Sequence, residues 1–79
     1  MNRTKEIDIH GMTAGEAEAE LDYFLEYADD ALEELVVVHG YRQGKRLLEF
    51  VRNEFHHPRI KKKIISMNPG ITIFILKIQ

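Results

Sequence analysis

Apolar and polar residues in this chain alternate, recur at helical spacing, then alternate again. In Glu6–His10, Ile7 and Ile9 fall on one side and Asp8 on the other, the period-two pattern of a half-buried strand, and Gly11 ends it. Residues 1–5 before it are a polar lead-in. Thr13-Ala-Gly-Glu16 fits a capping box, with Thr13 holding an early helical N–H and Glu16 reaching back. Ala17, Leu21, Phe24, Leu25 and Ala28 then make one helical stripe, and Glu18, Asp22 and Glu26 lie opposite it. Asp29 and Asp30 open the connection to a second strand, Glu34–Val38, whose β-branched run leads into His39-Gly40-Tyr41-Arg42-Gln43-Gly44. A second stripe follows in Leu47, Val51 and Phe55, widened by Leu48 and Phe50. It stops at His56-His57-Pro58, because the residue before proline disfavours helical backbone.

Lys62–Met67 reads as a strand, Asn68-Pro69-Gly70 as a tight turn, and Ile71–Ile78 as the last strand. The order is βαβαββ. Right-handed crossovers make the first two strands parallel neighbours, and the tight turn makes the last two antiparallel. The expected fold is an α/β two-layer sandwich (α+β in its mixed pairing), with a four-stranded mixed sheet and two helices on one face. Asp8 and His10 then end one parallel strand, and His39 and Gly40 end its neighbour at the same sheet edge. Ligands of open α/β sheets collect at such edges. In the last strand Phe74, Leu76 and Ile78 alternate with Ile73 and Ile75, so both faces are apolar. Either the uncovered face meets a partner or a second copy, or a further layer covers it.

Seventy-nine residues make a single domain, 1–79, with a thin stability margin. With no cysteine there is no disulfide and no thiolate metal site, and His, Asp and Glu do not occur at structural-zinc spacing. No apolar run is long enough to cross a bilayer, and the first residues lack the apolar stretch of a signal peptide, so the expectation is a cytoplasmic protein with no membrane partner. The net charge of −2 hides a split. Thr13–Glu34 holds nine acids and no Lys or Arg, whereas His39–Lys63 holds eight Lys and Arg against Glu49 and Glu54. The acidic flank repels phosphate. The basic flank begins at the glycine loop.

Asp8, His10 and His39 form the candidate catalytic cluster. Paired imidazoles can act as base and acid in phosphodiester cleavage, with a carboxylate fixing a tautomer. Arg42, Lys45 and Arg46, at the positive end of the second helix, can hold a phosphate. The plainer reading is that each histidine ends a strand and bonds nearby backbone. Gly40 and Gly44 serve equally as turn residues, and Tyr41 either stacks on a base or covers the loop. Arg59 and Lys61–Lys63 are a solvated strand start or a second backbone contact. His56 and His57 read as helix-terminating residues rather than metal ligands.

These residues resemble a known family. EIDIHGMTAGEA is similar to the LDLHGxxxxEA segment of the small MutS-related (Smr) domain, and VVVHGYRQGKRLLEFVR to its second segment, HGxGxGxL. The likeness runs over nearly the whole chain, the NPG turn included. It implies the βαβαββ sandwich also found in the C-terminal domain of bacterial translation initiation factor three. It further implies nucleic-acid binding and, in many members, DNA nicking or RNA cleavage, sometimes with ribosome association. Asp8 and His10 match the first motif; His39, Gly40 and Gly44 match the second. Arg42 stands where the family has its middle glycine, and Ile7 stands for the leading leucine. The chain looks like a stand-alone bacterial form. The expected function is an endonuclease cutting RNA or structured DNA. Asp8, His10 and His39 would carry proton transfer, and Gly40, Tyr41, Arg42, Gly44, Lys45 and Arg46 would line the phosphate path. A divalent metal is a conceivable cofactor without a legible protein site. The alternatives are a binding module without catalysis and a protein-interaction adaptor using the apolar sheet face.

Overall fold

The computed structural model describes residues 3–42 and 44–79. The elements run β1 (Thr4–Asp8), α1 (Ala14–Tyr27), β2 (Glu34–Val38), α2 (Arg46–Glu49) continued by a π-helical segment (Phe50–Glu54), β3 (Ile60–Ile65) and β4 (Ile71–Leu76). The sheet order is β1-β2-β4-β3, with β1 parallel to β2 and β4 antiparallel to both of its neighbours. This is the expected βαβαββ sandwich, a four-stranded mixed sheet with two helices. Several boundaries differ. Thr4 and Lys5 already belong to β1, while Met1 and Asn2 lie outside the described residues; β3 begins at Ile60, and β4 stops at Leu76.

The capping box forms as drawn from the sequence. Thr13 Oγ1 accepts the Glu16 backbone N–H at 3.1 Å and Glu16 Oε1 accepts that of Thr13 at 2.9 Å, satisfying two donors that a helix start leaves unpaired. Ala17, Leu21 and Leu25 are buried against Leu35, Val37, Phe74 and Leu76, the inward residues of β2 and β4. Both helices therefore cover one face.

The second helix departs from regular spacing. After one α turn it widens, and the Phe55 N–H bonds Phe50 O five residues back at 2.8 Å. Widening turns Phe50 and Phe55 toward the same side. Both rings enter the core, 6.0 Å apart, and Phe55 stacks on Phe74 at 6.0 Å. Lys63 closes the end of this segment: its ammonium donates to the carbonyls of Val51, Arg52 and Phe55, placing a cation where helix carbonyls are unpaired. Burial pushes the Lys63 pKa down.

Arg59 is also internal. Its guanidinium donates to the carbonyls of Asp29, Asp30 and Leu32, and its Nε to Lys77 O at 2.7 Å. It ties the α1–β2 connection to the chain end. The basic run Arg59–Lys63 is thus no uniform outer patch, since its first and last members are bound to backbone inside the protein.

Candidate functional site

Parallel pairing of β1 and β2 sets Asp8 level with Val38, so the two His-Gly segments leave the sheet side by side. The Ile9 N–H continues the ladder to Val38 O at 2.9 Å. Gly11 and Gly40 take positive φ, 79° and 72°, where a side chain would be strained, and this lets each chain turn sharply off the sheet. His10 packs beside Gly40; a methyl group there would lie 3.6 Å from His10 Cβ. His10, Met12, His39, Gly40, Arg42 and Arg46 border one cleft of about 570 Å³. The structure thus brings both histidines to one ledge. It treats them differently.

His10 is exposed and paired. Its Nδ1 lies 2.5 Å from Asp8 Oδ1, and its backbone N–H donates to the same oxygen at 3.0 Å. The His10 side chain and backbone N–H together hold the Asp8 carboxyl below its usual range, so Asp8 is an anion at neutral pH. An anion accepts only, which puts the proton of a neutral His10 on Nδ1 and leaves Nε2 as its basic nitrogen.

His39 is buried, with 3% exposure. Its Nδ1 bonds Gly40 O at 2.9 Å, and its Nε2 bonds Thr72 Oγ1 at 2.9 Å. A carbonyl can only accept, so Nδ1 carries the proton. Arg52 Nε donates to the same Thr72 oxygen at 2.8 Å, which leaves the threonine hydroxyl proton for Nε2. Burial, opposed by the Gly40 carbonyl and reinforced by Arg52, lowers the His39 pKa and keeps the ring neutral. Both nitrogens are occupied within the fold. The two rings therefore differ: the His39 ring is bonded within the fold at both nitrogens, and the His10 ring is exposed beside Asp8.

Around this pair, the loop supplies charge. Tyr41, Arg42 and Lys45 are exposed, and Arg46 forms a 2.6 Å ion pair with Glu54 on the surface. Gly44 has φ 117° and retains a glycine's role. Arg42 does not adopt positive φ, so this loop does not need the family glycine's backbone freedom there. The strict α portion of the second helix is a single turn and Lys45 gives it no side-chain cap, so the positive character of this loop comes from side-chain cations rather than from an aligned helix dipole. Among the described residues no three His, Cys, Asp or Glu side chains converge to hold a metal ion.

Pattern reading missed the scaffold of the ledge. Gly70 O accepts the N–H groups of both His39 and Gly40, at 2.9 and 3.0 Å, while Asn68 Oδ1 accepts the Gly70 N–H at 2.9 Å. The NPG turn therefore clamps the glycine loop as well as closing a hairpin. Thr72 carried a usable signal: it is the single polar residue of the ITIFIL strand, and it sits on the buried face. His56 stays exposed, and His57 accepts the Arg59 N–H at 3.0 Å, so neither belongs to the ledge.

Parallel strands ending in a carboxylate–imidazole pair beside a cationic glycine loop define a small α/β sandwich domain with its ionisable cluster at the strand ends. The Smr domain model matches residues 7–69, and the chain belongs to that family, a nucleic-acid-binding, nuclease-like domain. Among solved structures it is similar to the Smr domain of Thermus thermophilus MutS2, with 28% identity over 92% of this chain and 98% of that one, and a TM-score of 0.71. No curated protein matches the chain. Among the described residues no helix is long and apolar enough to cross a membrane.

Proposed function

We propose that this domain binds RNA or structured DNA along the ledge at the ends of β1 and β2 and cleaves a phosphodiester there, with His10 as the proton-transfer group. The observation that carries this reading is the exposed His10, paired with Asp8 and bordering one cleft with Arg42 and Arg46. His10 Nε2 takes the proton of the attacking hydroxyl as its oxygen bonds phosphorus. The bond to the leaving sugar oxygen breaks, and that oxygen is protonated from water. Asp8 steadies the imidazolium, and the loop cations offset charge on the phosphoryl oxygens. His39, Thr72 and Arg52 hold the loop in register, so His39 is a positioning residue. The same surface extends the reading to ribosomal RNA, which sedimentation with ribosomes at low salt tests, and a cytoplasmic location accords with such substrates.

The test is cleavage of labelled RNA and branched DNA, with and without divalent cation. The wild type should cut, whereas His10→Ala should bind without cutting. A wild type that leaves every substrate whole overturns the nuclease reading. That result would favour a binding module, a reading supported by the internal commitment of His39, which leaves one reactive imidazole at the ledge.

A further inference from the structure

The sheet face turned away from the helices forms an ordered grid. Its register gives three rows: Thr4, Glu34, Ile75 and Lys62; Glu6, Val36, Ile73 and Ile64; and Asp8, Val38 and Ile71. Val36, Val38, Ile71, Ile73 and Ile75 are half-buried by their neighbours alone, and Ile64 is exposed. The centre is apolar. The β1 side carries Glu6 and Asp8 with Glu34 beside them, and the β3 side carries Lys62.

We propose that a second copy of this chain covers this face, as an isologous pair whose two-fold axis runs parallel to the strands. That operator lays β1 of one copy over β3 of the other. Val36 then meets Ile73 and Val38 meets Ile71, in both directions, while Glu34 comes beside Lys62 of the facing copy. The alternative axis, perpendicular to the strands in the sheet plane, lays β1 on β1 and sets acid against acid. The charge pattern therefore selects one of two face-to-face arrangements. The face spans roughly 19 Å across four strands and roughly 17 Å along them, about 320 Å² in plan per copy. That places the pair among weak, transient interfaces rather than obligate ones. Pairing through the β3 edge is a poor competitor, because that edge is irregular between Ile60 and Lys62 and bears Lys61 and Lys62. Glu6 and Glu34 on the face make an anionic lipid surface the wrong occupant.

Sedimentation equilibrium of the full chain across micromolar to millimolar concentration tests this, with circular dichroism confirming the fold of each variant. The wild type should dimerise, and Ile73→Glu should be monomeric. Glu34→Lys alone and Lys62→Glu alone should each weaken the dimer about tenfold, by setting like charges together twice. Mixed in equal amounts, these two variants should recover the wild-type affinity as a heterodimer, because both contacts again join opposite charges. A wild type monomeric at millimolar concentration overturns the proposal. So does a mixture no tighter than its separate components, which would mean that Glu34 and Lys62 do not face each other.

Discussion

Nδ1 of His10 lies 2.5 Å from Oδ1 of Asp8, and the same oxygen accepts the His10 backbone N–H at 3.0 Å. One carboxylate oxygen thus fixes both the backbone leaving β1 and the tautomer of the ring it carries. Removal of the ring should lower cleavage by about 100-fold or more, the scale of general acid–base catalysis. Asp8→Asn keeps the shape but not the charge, so its loss should be smaller and fall on turnover rather than on affinity. Single-turnover rates beside equilibrium binding separate the two effects.

His39 makes a stability prediction with a defined sign. Its folded pKa lies below its ordinary value of about 6.5, because burial disfavours the charged ring. Between the two values the unfolded chain binds the extra proton, so stability rises with pH in that window. The contribution is complete above about pH 6.5 and is lost as pH falls toward the folded pKa. Urea unfolding at pH 7.5 and about pH 5 should show a larger drop for the wild type than for His39→Gln, whose amide does not titrate. Asp8 is depressed too, but it starts from a model value of 3.8, so its loss occurs at lower pH and does not obscure the comparison.

Arg59 should matter to folding and not to binding. Replacing it with Met leaves the carbonyls of Leu32 and Lys77 without a donor, while Asp29 O keeps the Leu32 N–H and Asp30 O the Gln79 N–H. A loss of about 3 kcal/mol or more follows, a large share of a small domain's stability. Arg59→Lys should not rescue it, because a single ammonium does not reproduce the guanidinium fork. Urea midpoints measure both variants.

The loop cations should show themselves in salt dependence. Arg42→Ala and Lys45→Ala should each weaken binding on every sequence tested and reduce the salt slope by about 0.7 to 0.9 per lost phosphate contact. Glu54→Gln should act in the opposite direction. It frees Arg46 from the 2.6 Å ion pair, so affinity at low salt should rise modestly. Titrations of fluorescent RNA at two salt concentrations decide each case.

Local pattern was sufficient for much of this protein. The alternation around Ile7 and Ile9, the Thr13–Glu16 cap, the Ala17–Leu21–Leu25 stripe and the β-branched run ending at Val38 specify their elements through neighbouring residues alone, and together they fixed the βαβαββ order. The pairing of Asp8 with His10 was legible for the same reason, since two residues on one strand exit are held together by the backbone between them.

What the sequence could not settle were relations across the chain. The fate of His39 depends on Thr72 and Arg52, 33 and 13 positions away, which meet it only because β4 inserts between β2 and β3. Arg59 and Lys63 read as solvated charges until folding surrounds them with carbonyls from other elements. The widened turn of the second helix likewise answers to the Phe74 ring beneath it. Short-range periodicity is written in adjacent side chains, whereas burial and hydrogen-bond saturation arise only when distant segments close on one another, and here that closure left one of two similar His-Gly exits with an exposed ring and the other with a buried, fully bonded one.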